Sequence, residues 1–366
     1  MTFESIAKQD NPVRIQYLDG LRGLAILMVV LFHAFSRWPD IVPFGNRFAT
    51  FPLFKNGWLG VQLFFLISGY VIHMTLDKSR SPVNFLYRRW LRLFPAMLFC
   101  SLIIFFTAPF FFERPAGSPM MRDLLPGLTF IEPFWWKKFL GPPQGQLEGA
   151  FWSLYVEVKF YLIASIFYFI SGGKKMIWIL CILFLSSVAL PYLSELLPNL
   201  DWFLPRRILF ILSAEHLGWF AAGALFYLYS GKHHLNLLVL AVATGLISAL
   251  TMKEVETQAI YSGFIVVLIF TASVLSQRVQ SWLSNPVLLT LGFASYPLYL
   301  LHENMMISLI VKTGNFAPWI PAILVPVIPM SIVIALGWMV ARYAEPKIRN
   351  SIIYFYPYKT RPFRPS

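Results

Sequence analysis

An arginine and a histidine, Arg22 and His33, share one mostly apolar stretch at 17–36, YLDGLRGLAILMVVLFHAFS, which also carries Asp19. An imidazole takes up and releases protons near neutral pH, and a guanidinium fork suits phosphate or a polarised carbonyl. At about 100° per residue the two positions lie close to three helical turns apart, so both side chains leave one face, roughly 16 Å from each other along the axis. A charge at membrane depth costs about 2.5–3.5 kcal/mol or more, so such groups turn toward protein or a wet cavity. A plainer alternative pairs Asp19 with Arg22 at the membrane surface and makes His33 a packing residue hydrogen-bonded between helices.

Other stretches carry further candidates. Ser153, Glu157 and Tyr161 recur at four-residue intervals and share a helix face. Glu157 is an ionisable residue inside an apolar run, a functional-site candidate unless it is neutralised by Lys159 or Arg22. Ser295, Tyr299 and His302 follow an i, i+4, i+7 stripe, and Pro297 between them frees a backbone carbonyl and predicts a kink. Arg88, Arg89 and Arg92 gather on one side of a helix start, which suits bidentate binding of phosphate or, more plainly, serves as a topology signal. In 57–70, Gly60, Ser68 and Gly69 read as small residues for close helix packing. Glu215 and His216 form a weaker polar pair. No phosphate-binding loop, dinucleotide fingerprint, serine elbow or zinc-protease motif stands in a credible setting, and no metal is expected.

The elements that must position these residues follow from composition. The 366 residues are 57% hydrophobic, 17% aromatic and 13% charged, with a mean hydropathy of +0.63. This predicts an all-α polytopic transmembrane helical bundle. About ten spans are expected, at 17–36, 58–76, 90–112, 151–170, 175–193, 207–230, 235–252, 257–276, 287–311 and 319–343. With the N terminus inside, most lysines and arginines fall on inner segments, so both termini are expected in the cytoplasm. The net charge of +13 then reads as topology and attraction to anionic lipid or a polyanionic ligand, not nucleic acid, because no basic cluster lies outside the membrane-flanking loops. Cys100 and Cys181 sit in apolar runs and offer neither a disulfide framework nor metal spacing. A cleaved signal peptide is not expected. Residues 1–350 form one transmembrane domain, and 351–366 a basic aromatic tail suited to the membrane surface. The connection 113–150, rich in proline and aromatic residues, is expected outside, as a functional cover or as an interfacial aromatic belt.

In this order, LDGLRGLAIL with its Arg22–His33 spacing, GVQLFFLISGY, RRWLRLFP, WSLYVEVKFY, GFASYPLYLLH and a closing Glu345-Pro346 resemble the acyltransferase-3 family of integral membrane O-acyltransferases. The resemblance runs from about Ile15 to Pro346. It implies ten core spans, an essential Arg and His in the first span, and a bacterial inner-membrane location. It also implies transfer of an acyl group, usually acetyl, from cytoplasmic acyl-CoA to a hydroxyl of a cell-envelope glycan or glycolipid, such as a polysaccharide or lipopolysaccharide. Some relatives carry an appended extracellular domain. This sequence ends at Ser366 without one, so acceptor handling is expected in the membrane part.

The resulting assignment makes His33 the general base or the carrier of an acyl-histidine relay, with Glu157 orienting or steadying the imidazole. Arg22 would bind a CoA phosphate or polarise the thioester carbonyl, and Arg88, Arg89 and Arg92 would hold the nucleotide phosphates. Asp19, Ser153, Tyr161, Tyr299 and His302 are candidate substrate contacts. The expected partners are acyl-CoA, the glycan or glycolipid acceptor and membrane lipid. The rival function is a transporter or flippase of a lipid-linked sugar, with the polar face as its path.

Overall fold

The computed structural model describes residues 15–141, 145–252 and 256–355. Its principal helices are Gln16–Phe32 (α1), Gly60–Leu76 (α2), Pro82–Thr107 (α3), Trp152–Ser171 (α4), Gly173–Leu196 (α5), Leu217–Lys232 (α6), Leu235–Leu250 (α7), Thr257–Leu275 (α8), Pro286–Phe316 (α9) and Val327–Met339 (α10). No strand occurs among the described residues. Near-uniform apolar sequence dictates this outcome, because in lipid a helix satisfies its own backbone N–H and C=O groups. Local signals set where helices begin. Ser81 accepts from the Asn84 N–H (3.2 Å) ahead of Pro82, and Asn285 accepts from the Leu288 N–H (3.0 Å) ahead of Pro286.

Among the described residues seven helices are long and apolar enough to cross a membrane, or eight if the pair Phe203–Ile211 and Ala214–Lys232, bent by 58°, is one span. Length and apolarity therefore do not reach the expected ten. The seventh expected stretch, α7, is only 16 residues long. The ninth, α9, continues for 31 residues with Pro297 inside it but carries His302, Glu303 and Asn304, all buried. Its polar residues lower its apolarity because they face protein rather than lipid. The sixth breaks at Ser213, whose φ of 50° is left-handed. The tenth starts only at Val327, after Pro318, Pro321 and Pro326. Of the expected tail, 351–355 continues the helix Glu345–Phe355, and 356–366 lies outside the described residues.

Specific contacts define the two ends of the bundle. At one end Asp77, after α2, accepts hydrogen bonds from Tyr168 (2.6 Å) near the end of α4 and Tyr227 (2.9 Å) near the end of α6. At the other, Lys55 ahead of α2 donates to Glu256 ahead of α8 (2.6 Å). The start of α3, with its arginines, follows Asp77 directly and belongs to the first end.

Glycine sets how closely the central helices approach. A Cβ on Gly23 would strike the Leu288 carbonyl, and one on Gly292 the Asp19 carbonyl, so α1 and α9 cross backbone to backbone. Gly69 of α2 abuts the Phe220 carbonyl of α6 in the same way, and Gly60 abuts the Ala25 carbonyl of α1. Ser68, the third small residue of that stretch, has a different role, described below.

The connection 113–150 is pinned to the bundle. Lys312 (2.9 Å) and Ser308 (2.5 Å) of α9 both donate to Glu113. The Ala116 N–H donates to the Asn304 side chain (2.8 Å). Lys159 of α4 donates to Glu132 (2.6 Å) and to Ser213 (3.0 Å), so the ammonium that might have neutralised Glu157 is engaged elsewhere. The segment is thus a tied-down cover, with Phe134 and Phe139 left exposed on its outer side.

Candidate active site

A crevice enclosing about 710 Å³ of empty space, its mouth included, opens among α1, α2, α3, α4 and α9. It collects seven of the expected site residues: Arg22, Arg89, Arg92, Ser153, Glu157, Tyr161 and Tyr299. Arg22 donates to Asp19 one turn back (2.8 Å). This i,i+3 pair forms, but inside the protein rather than at the surface, since Asp19 is 9% exposed. Arg89 donates to Thr75 (2.5 Å) and lies over the rings of Phe85 (5.6 Å) and Tyr161 (5.9 Å). Its buried Nε has no hydrogen-bond partner among the described residues, a donor left over in a crevice. Arg92 is exposed at the mouth, whereas Arg88 is exposed and does not line the crevice. A helix start distributes consecutive arginines around its axis, so only two of the three face inward.

Glu157 accepts from Ser68 (2.5 Å) and Tyr161 (2.7 Å). Ser68 is therefore a polar crevice residue, a role that the small-residue packing argument misses. Ser295 and Tyr296 also line the space. With Arg22 and Asp19 paired, Arg89 and Arg92 stand against the single carboxylate of Glu157 and leave the crevice positively charged, a setting for phosphates.

His33 and His302 do not line this crevice. The first helix gives way at His33 to a wider π-helical turn, His33–Arg37, a feature frequent at functional sites. The imidazole Nδ1 of His33 lies 2.9 Å from the Val29 carbonyl and 3.1 Å from His302 Nε2. The Nδ1 of His302 lies 2.8 Å from the Tyr299 carbonyl. Carbonyl oxygens only accept, so each Nδ1 carries its proton and donates. His302 Nε2 is then an acceptor for His33, and the remaining lone pair of His33 is on Nε2. That atom faces Glu303 Oε1 at 3.6 Å. Glu303 is held in turn by the Ala150 N–H (2.7 Å).

The carboxylate beside the imidazole is therefore Glu303, not Glu157. Glu303 directly follows His302 and falls off the i, i+4, i+7 stripe, which is why spacing passes over it. The rule that singles out Glu157, an ionisable residue inside a span, selects Glu303 equally. Arg22 and His33 do project from one side of α1, but they meet different neighbours: open space at one level, α9 at the other. Tyr299 stands between. It lines the crevice, bonds Ser153 (2.7 Å) and the Ala150 carbonyl (2.8 Å), and sets its ring 5.4 Å from that of His302. His33 keeps slight access, its side chain 11% exposed.

Behind Glu303 the polar cluster continues into the cover. Asn304 donates to Glu148 from its backbone (3.0 Å) and its side chain (2.6 Å). Arg114 stands 3.9 Å from Glu148 and donates to the Leu147 carbonyl (2.5 Å). Burial, and then the charge of Glu303, push the Glu148 carboxyl up to about 8 against the opposing pull of Arg114 and Asn304. Glu215 and His216 sit at the helix break ahead of α6, outside the crevice lining. No group of three or more metal-ligating side chains occurs among the described residues.

No solved structure matches the chain. O-acetyltransferase OatA of Staphylococcus aureus is 27% identical over 175 residues, 44% of this chain and 26% of that protein. A protein of Komagataeibacter xylinus named as a membrane-bound transacylase, BcsY, is 31% identical over 155 residues, 41% of this chain and 36% of its own length. A further S. aureus protein named as an O-acetyltransferase is 25% identical over 325 residues, 78% of this chain and 49% of its own. The chain thus spans between a quarter and half of the length of these relatives. The acyltransferase-3 family model, described as an acyltransferase domain, matches residues 15–343, which include both the arginine crevice and the histidine pair, and the chain belongs to that family.

Proposed function

We propose that this protein is a membrane O-acyltransferase that moves an acyl group, most simply acetyl, from acyl-CoA to a hydroxyl of a cell-envelope glycan or glycolipid. The observation that carries this reading is the juxtaposition of a basic crevice, with the unpartnered Arg89 Nε, and an imidazole whose free lone pair faces a carboxylate, the two separated by the Tyr299 side chain. On this reading acyl-CoA enters at the end of the bundle that carries Arg88–Arg92, which faces the cytoplasm of a bacterial inner membrane. Arg89 and Arg92 hold its phosphates, and Arg22, steadied by Asp19, faces the same space.

The acceptor hydroxyl gives its proton to His33 Nε2 as its oxygen attacks the thioester carbonyl. CoA leaves as the thiolate and takes the proton back from the imidazolium. The Val29 carbonyl and His302 hold the proton of the imidazole on Nδ1, which leaves Nε2 free, and the Glu303 charge favours the imidazolium formed in transit. For this, the thioester must pass Tyr299. Glu157, bound by Ser68 and Tyr161, shapes the donor crevice.

Membranes supplied with labelled acetyl-CoA and an envelope glycan acceptor test the proposal. The enzyme should release free CoA and label the acceptor, and His33→Ala should do neither. Normal turnover by that variant overturns the role of His33. Movement of a lipid-linked sugar across the bilayer without CoA release overturns the enzymatic reading in favour of transport.

A further inference from the structure

On the flank away from the arginine crevice, α5 and α7 both pack on α6 but scarcely on each other. The gap between them is a groove with about 890 Å³ of empty space, its open side included, floored by α6. Its rim carries Lys174 in the first turn of α5, Lys232 at the end of α6 and His234 just ahead of α7. Among the described residues no carboxylate lines it. Below the rim the walls are apolar down to Cys181 on α5 and Thr244 on α7, about 10 and 15 Å deeper at the helical rise. The rim lies at the same end of the bundle as Arg88–Arg92, because Asp77 ties that end of α2 to the ends of α4 and α6.

From this we infer that the groove is a binding site for one anionic glycerophospholipid of that leaflet. Two ammonium groups and an imidazole at headgroup level match a phosphodiester of net negative charge. An apolar trench of about two to three helical turns beneath them matches the upper part of an acyl chain. A free phosphate fits only the rim and leaves the apolar walls unfilled. A zwitterionic lipid brings its own ammonium against Lys174 and Lys232.

Native mass spectrometry of the full chain in detergent, titrated with phosphatidylglycerol or phosphatidylcholine of the same acyl chains, tests this. Phosphatidylglycerol should bind the more tightly. The triple variant Lys174→Gln, Lys232→Gln, His234→Gln should lose that binding on the order of tenfold and leave phosphatidylcholine unchanged. Lys175→Gln, next to the rim but outside the groove lining, should behave as wild type. Thr244→Trp, which fills the deep end of the trench without touching charge, should also displace the lipid, and it keeps the test decisive if the triple variant is poorly folded. Equal binding of the two lipids, or undiminished phosphatidylglycerol binding in both the triple variant and Thr244→Trp, overturns the inference. Full displacement by glycerol phosphate also overturns it, by showing a site for phosphate alone.

Discussion

The two polar regions that α1 serves are built on opposite principles. The crevice around Arg22, Arg89 and Arg92 holds empty space and a donor, Arg89 Nε, with no hydrogen-bond partner among the described residues. The cluster around His33, His302 and Glu303 is packed by protein, and its members are 9%, 0% and 4% exposed. Spare donors beside empty space are what an incoming polyanion needs. A packed imidazole between a carbonyl and a second imidazole is what a fixed tautomer needs. One helix can supply both because its two ends face different neighbours. The comparison separates binding from chemistry, and variants in the two regions should therefore differ in kind as well as in size.

The largest effect is expected in the packed cluster. His33→Ala should lower acyl transfer by about 10²–10⁴-fold, the range for removing a general base, while acyl-CoA still binds. Glu303→Gln keeps an acceptor for the Ala150 N–H but removes the charge facing Nε2. It should lower kcat by about 10–100-fold and shift the pH profile of kcat, with KM for acyl-CoA unchanged. An equal fall in kcat and affinity for both variants would erase the distinction between the regions.

Arg89→Gln should do the reverse, raising KM for acyl-CoA by about tenfold or more with a smaller change in kcat, since a hydrogen bond to a charged group contributes about 1.5–3 kcal/mol. Arg88→Gln, exposed and outside the crevice, should be near wild type in both constants. If the two arginine variants behave alike, the crevice does not read the donor. Tyr299→Phe removes the hydroxyl that ties the dividing wall to Ser153 and Ala150, at a cost of about 1 kcal/mol in stability. Its informative readout is acyl-CoA hydrolysis without acceptor, which should rise as the wall loosens.

The smallest effect concerns the cover. The folded Glu148 carboxyl sits at about 8 against an ordinary 4.5, so the folded protein binds the extra proton. Its contribution to stability is complete below the ordinary value and fades as pH climbs through about 8. The melting temperature in detergent should fall across that window for the wild type and stay flatter for Glu148→Gln.

Much of this was legible in the residues. Helical class followed from apolar runs, and Ser153, Glu157 and Tyr161 were placed together by period alone. Arg88 shows where period stops helping: three arginines near a helix start look equivalent until neighbouring helices decide which faces in. Glu303 shows the same for carboxylates, since its partner His33 is 270 positions away in sequence. The expected ten spans are not reached by length and apolarity alone, for a related reason. The polar content of α9 marks burial in protein, and hydropathy cannot tell that from exposure to water.

By itself, then, the sequence determined a helical membrane protein with an arginine and a histidine on one side of its first helix, because composition and a 3.6-residue repeat are local properties. Only the tertiary structure decided that the arginine meets a cavity and the histidine a second histidine and a glutamate. What stands opposite a side chain depends on which helices the glycine contacts of α1, α2, α6 and α9 allow to approach, and no local pattern encodes that.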